Sequence, residues 1–126
     1  MSNVRPILFC SCALLLSTGC TGWSERDSTG TVVIAEGAPR LLVIEAPTPR
    51  SIRLQLRNRG TSEVVYHCTA PADLPGGAGS MAGDGGEVQL QTTGTTLTVL
   101  LSATAAAEVR YQLRSSGRYT VAVRNP

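Results

Sequence analysis

Between Ser51 and Arg57 the chain alternates without a fault, with Ile52, Leu54 and Leu56 on one set of positions and Arg53, Gln55 and Arg57 on the other. A period of two places successive side chains on opposite faces of an extended backbone, so the apolar set can be buried together only in a strand with one wet face. The pattern returns near the C-terminus. Val109, Tyr111 and Leu113 alternate with Arg110, Gln112 and Arg114, and Tyr119, Val121 and Val123 alternate with Arg118, Thr120, Ala122 and Arg124. No stretch beyond residue 30 carries a convincing helical period.

Other segments fit the same architecture. Thr31 to Ala35 and Leu41 to Glu45 are apolar, β-branched runs separated by Glu36-Gly37-Ala38-Pro39, and Ala46-Pro47-Thr48-Pro49 closes the second. Asn58-Arg59-Gly60 reads as a tight turn into Ser62 to Thr69, where Val64, Tyr66 and Cys68 share a face opposite Val65 and His67. Glu87 to Thr92 and Thr95 to Ser102 read as a pair around Thr93-Gly94, and the C-terminal run as a hairpin turning at Ser115-Ser116-Gly117. Ala103 to Ala107 is the one place where a helical turn fits. About seven to eight short strands divided by turn residues predict an all-β fold, a small antiparallel β-sandwich, with a small β-barrel as the alternative. The long Ala70 to Gly86 connection suits a crossing between two sheets. Ile52 to Tyr66 and Gly117 to Val121 resemble, in a general way, immunoglobulin-like and other secreted bacterial sandwich modules.

The N-terminus is of a different kind. Arg5 is the only charge in residues 1–19 and precedes a mostly apolar run from Ile7 to Leu16, the order of an n-region and an h-region in a signal peptide. A membrane-crossing helix needs roughly 20 apolar residues, so this run is too short to span. It ends in Leu14-Leu15-Leu16-Ser17-Thr18-Gly19-Cys20, which resembles the lipobox of bacterial lipoprotein precursors. The resemblance implies cleavage between Gly19 and Cys20 and a lipid on Cys20. Thr21 stands where Asp commonly signals inner-membrane retention, which implies an outer-membrane anchor facing the periplasm. The expected organisation is a signal peptide over 1–19, a lipidated cysteine with a flexible tether over 20–30, and one domain over 31–126. Trp23 in the tether suits either the membrane interface or the domain surface.

Removing the signal takes away Cys10 and Cys12 and commits Cys20 to lipid, so Cys68 has no disulfide partner within the chain. Its alternating apolar run predicts a buried thiol. All 11 basic residues are arginine, and the formal net charge of +2 shrinks further once Arg5 is lost, which gives no basis for a nucleic-acid partner.

His67 and Cys68 are the one nucleophile–base pair on offer, and adjacent strand residues point to opposite faces. No His, Cys or carboxylate set has zinc spacing, and the glycine-rich Pro75 to Gly86 stretch lacks a phosphate-loop ending. As a calcium loop that stretch offers only Asp73, Asp84 and Glu87. No cofactor or metal is expected. Met81, among these glycines, is a candidate exposed contact for a partner, although the sequence does not decide whether it is exposed or folded back.

The arginines are the remaining candidates for a binding surface. Arg53 and Arg57 share one strand face, Arg110 and Arg114 another, and Arg118 and Arg124 a third, so adjacent strands would form an arginine ladder suited to carboxylate or phosphate. Outward arginines are also how a solvated sheet face looks. The expected function is an envelope lipoprotein whose sandwich is a structural or protein-interaction module without catalysis, with membrane lipid and another envelope protein or a cell-wall polymer as partners. The alternative is a periplasmic ligand-binding or inhibitory module: Tyr66-His67-Cys68 and Ser115-Ser116-Gly117-Arg118-Tyr119 resemble parts of lysozyme-inhibitor lipoproteins, which present a loop of that kind to the enzyme.

Overall fold

A computed structural model describes residues 26–126; the signal segment, Cys20 and Trp23 lie outside the described residues. The described chain is all-β, with seven strands: β1 (Arg26–Ile34), β2 (Arg40–Asn58), β3 (Val64–Ala70), β4 (Ala78–Met81), β5 (Glu87–Ala103), β6 (Ala107–Ser115) and β7 (Thr120–Arg124). All pairings are antiparallel, in the order β1-β6-β2-β5-β3-β4, with β7 also on β2. The end strands β1 and β4 do not pair, so the sheet is open and not a closed barrel.

Two long strands turn this sheet into a sandwich. β2 and β5 pair along their whole lengths, but the register breaks between Glu45 and Arg50, where Ala46 to Pro49 oppose Thr95 alone. Pro47 and Pro49 have no N–H to give a ladder, and a proline inside a central strand is tolerated at such a bulge because the ladder is already interrupted there. Before the break, β2 lies between β7 and β5 in a first layer completed by β3 and β4; beyond it, β2 lies between β6 and β5 in a second layer completed by β1. Strands that change layer at a bulge are one way to build a sandwich corner. Leu42, Ile44, Leu97, Val99, Leu101, Val64, Tyr66 and Cys68 from the first layer share one core with Ile52, Leu54, Leu56, Leu90, Val109, Leu113, Val32 and Ile34 from the second. Each such buried aliphatic side chain stabilises the fold by about 1.5–3 kcal/mol.

Several local expectations give way to this topology. Ala46 to Pro49 bends one strand instead of ending it, and Thr93-Gly94 lies inside β5, with Thr93 opposite Ser51 and Gly94 opposite Arg50. Two-residue hairpin turns need a positive φ, and among the described glycines only Gly37, Gly76 and Gly85 have one. Asn58-Arg59-Gly60 therefore joins strands that do not pair with each other. Ser115-Ser116-Gly117 likewise makes no hairpin: β6 and β7 follow one another along β2, separated where β2 bends. Thr104 to Ala106 is a short bend between strands and not a helical turn.

The domain edge also moves. β1 begins at Arg26, so residues 26–30 belong to the ladder and not to a tether. Their inward positions are Ser28 and Gly30, too small to advertise a buried face. Tyr111, directly opposite Gly30, lays its ring over the bare glycine backbone, and Tyr66 does the same over Gly79 in β4. An aromatic ring over an edge-strand glycine restores the cover its missing side chain would have given.

Candidate binding face

The outer face of the second layer is a grid of polar side chains. Even-numbered residues of β6 and odd-numbered residues of β1, β2 and β5 point away from the core because their neighbours fill it. The register sets three rows. Asp27, Arg114, Arg53 and Gln91 form the first; Thr29, Gln112, Gln55 and Gln89 the second; Thr31, Arg110, Arg57 and Glu87 the third. Four of the expected arginines, Arg53, Arg57, Arg110 and Arg114, thus stand on two adjacent strands as directly opposed pairs. Arg53 faces Arg114 and Arg57 faces Arg110.

Like charges directly opposite on a sheet are destabilising, by up to about 1 kcal/mol per pair. Arg114 and Arg57 each have an acid beside them in the grid. Arg114 Nε donates to Asp27 Oδ1 at 3.1 Å, and Arg57 Nη1 lies 3.5 Å from Glu87 Oε2. Gln55 Nε2 donates to Glu87 Oε1 at 3.4 Å, which ties the middle row to the third. Both ion pairs are about half exposed, where solvent screening leaves little net stabilisation. Arg110 is exposed and has no acid within ion-pair distance among the described residues.

Two shallow depressions lie on this face. One, of about 330 Å³, is lined by Arg57, Arg59 and Arg110 together with Glu87 and Tyr111; the other, of about 100 Å³, is lined by Arg53, Arg114 and Gln89. Gln55 and Gln112, opposite each other in the middle row, line both. Each depression therefore holds one arginine pair and they share an amide ridge.

Other expected site residues lie elsewhere. Arg118 is exposed at the sandwich corner, in a separate depression of about 750 Å³ with Asp27, Glu45, Pro47 and Tyr119. Within that corner Tyr119 donates its hydroxyl to Ser28 Oγ at 2.8 Å, and the Arg50 side chain covers Gly117. Ser116-Gly117-Arg118-Tyr119 is thereby tied into the fold at both ends. Met81 is not an exposed loop contact: it is 1% exposed, sits at the end of β4 opposite Val64 and fills the core. The glycines around it let β4 pack closely, and a flexible thioether suits the irregular gap that results. Asp84 has a φ of 63° and gives its N–H to Gly60 O, so it serves the turn. Among the described residues no group of three or more His, Cys, Asp or Glu side chains is placed to hold a metal.

Cys68 is buried, and its Sγ–H donates to Pro71 O at 3.3 Å. Burial pushes its thiol pKa up, against smaller opposing contributions from the backbone of Ala70 and Thr98. His67, next in the chain, is exposed on the opposite face of β3. A raised thiol pKa and opposite faces give these two residues no nucleophile–base geometry.

The sequence alone does not single out the residues completing the grid: Asp27, Thr29, Thr31, Gln55, Glu87, Gln89, Gln91 and Gln112. Their signal was present as polar residues at every second position. What was absent was which strand lies beside which. The chain matches no protein-family model, no curated protein and no solved structure.

Proposed function

We propose that this chain is an envelope lipoprotein, held by a lipid on Cys20 at the outer membrane and facing the periplasm, whose β-sandwich is a non-catalytic module that binds acidic groups on its arginine face. The observation that carries the binding reading is the two pairs of directly opposed arginines, Arg53 with Arg114 and Arg57 with Arg110. Two such pairs in one face work against the sheet, and positions where a local rule is broken are characteristic of sites kept for function. A carboxylate or phosphate seated between two guanidinium groups removes the repulsion and gains charge-assisted hydrogen bonds. The anchor is supported by the short apolar run, the small residues before Cys20 and Thr21 after it.

Two measurements test this. In cells given labelled palmitate, the full chain takes up label and sediments with membranes, whereas Cys20→Ser does neither; equal labelling of both would remove the anchor. Titrating the full chain in detergent with inorganic phosphate or galacturonate gives weak, salt-sensitive binding that Arg57→Gln/Arg110→Gln weakens and that adding Arg53→Gln/Arg114→Gln to the same chain abolishes. Undiminished binding by that variant would place the site elsewhere.

A further inference from the structure

We infer that the partner of the arginine face is a linear acidic polysaccharide lying along β2 and β6, with separate acidic groups on the Arg57/Arg110 and Arg53/Arg114 pairs. This rests on the anion-binding reading above and adds the class and length of the ligand. The two pairs stand four positions apart along each strand, roughly 13 Å at the rise of an antiparallel strand, too far for one carboxylate or phosphate to touch both. Between them stand Gln55 and Gln112, shared by the two depressions, with Gln89 and Thr29 beside them in the same row. These side chains carry no charge and offer both donors and acceptors, which matches a run of hydroxyl groups between acidic ones.

Other acidic polymers fit less well. Peptides held by sheet proteins add to an edge or place side chains in apolar pockets, and this surface is a face lined by arginine, glutamine, threonine and carboxylate, with one tyrosine, Tyr111, whose ring is laid over Gly30. Single-stranded nucleic acid needs exposed rings on which bases stack, and the outward positions of the three rows carry no aromatic residue. Two weak subsites joined by one chain reinforce each other, because occupying the first raises the effective concentration at the second.

The test uses the full chain in detergent and galacturonate oligomers of increasing length, with galacturonic acid, inorganic phosphate, dextran and poly-glutamate as comparison probes. The expected result is a rise in affinity of at least tenfold once the oligomer spans both pairs, with no binding to dextran. Arg53→Gln/Arg114→Gln then binds long oligomers as weakly as the monomer, while keeping monomer binding at the other pair. Affinity independent of length, but still lost when both arginine pairs are replaced by glutamine, would overturn the polymer inference and leave the anion-binding face standing. Failure of every anionic probe would remove both. Tighter binding of poly-glutamate than of the oligomers would replace the polysaccharide with an acidic peptide.

Discussion

Gly30 and Tyr111 are direct partners in the β1–β6 ladder, and the tyrosine ring occupies the space that a Cβ on Gly30 would need. The glycine has no positive φ, so its backbone would accept another residue and the ring alone opposes one. Gly30→Val should cost about 1–3 kcal/mol, the usual penalty of overpacking. Tyr111→Leu in the same chain should recover part of that loss, and a double-mutant cycle by urea unfolding checks it.

Asn58 is fully buried and uses its whole amide. Nδ2 donates to Ser62 O at 2.7 Å and to Met81 O at 3.1 Å, and Oδ1 accepts from Gly60 N at 3.0 Å. Its backbone N–H donates to Gly86 O, and its carbonyl accepts from Gly85 N. One side chain thus fastens both connections that approach the end of β2. Asn58→Ala should cost about 2–4 kcal/mol through the polar groups it strands. A lower urea midpoint with an unchanged m-value would show it; a shift below 1 kcal/mol would mean that water replaces the amide.

Burial raises the Cys68 thiol above its ordinary value of 9.0. Below that pH both folded and unfolded chains carry the neutral thiol, and the full stability is present. As pH rises from the unfolded value through the higher folded one, the unfolded chain ionises first and stability is lost. The wild type should therefore lose stability above about pH 9. Cys68→Ala should lack this component, and thermal melts across pH 7 to 11 compare the two. The native thiol should also resist a disulfide reagent until the chain unfolds.

Arg110 faces Arg57 and makes no ion pair among the described residues. Arg110→Gln removes a like-charge pair, so the melting temperature should rise by the equivalent of a few tenths of a kcal/mol while anion affinity falls several-fold. A variant that loses stability and keeps its affinity would contradict the role given to this pair.

Asp27 and Glu87 hold Arg114 and Arg57 at opposite corners of the grid. Both ion pairs are exposed, so Asp27→Asn and Glu87→Gln should change stability by less than about 1 kcal/mol. Each should strengthen binding of acidic ligands two- to tenfold and steepen its salt dependence, because one negative charge is taken off the arginine face. Titrations at two salt concentrations read this directly.

Much of the fold was legible in the alternation. Ile52, Leu54, Leu56, Val64, Cys68, Val109 and Leu113 are all buried on the face their spacing assigned. The turns were less legible, since Gly94 and Gly117 look like hairpin glycines yet sit at a strand corner where no reversal occurs. β4 and the first residues of β1 escaped notice because Gly79 and Gly30 give no inward side chain to count, and the rings that cover them come from Tyr66 and Tyr111 on other strands.

By itself the sequence determined that this chain makes strands, which face of each is apolar, and which arginines point outward, because those properties repeat within a few residues along one backbone. Only the tertiary structure decided that Arg53 meets Arg114 and Arg57 meets Arg110, with Gln55 and Gln112 between them. Neighbours in a sheet are chosen by hydrogen-bond register across more than 50 residues of chain, here in the ladder that follows the proline-containing bulge between Glu45 and Arg50, where the long strand passes into the second layer. The same packing drew Met81 into the core and left Arg118 at the corner, away from the other arginines.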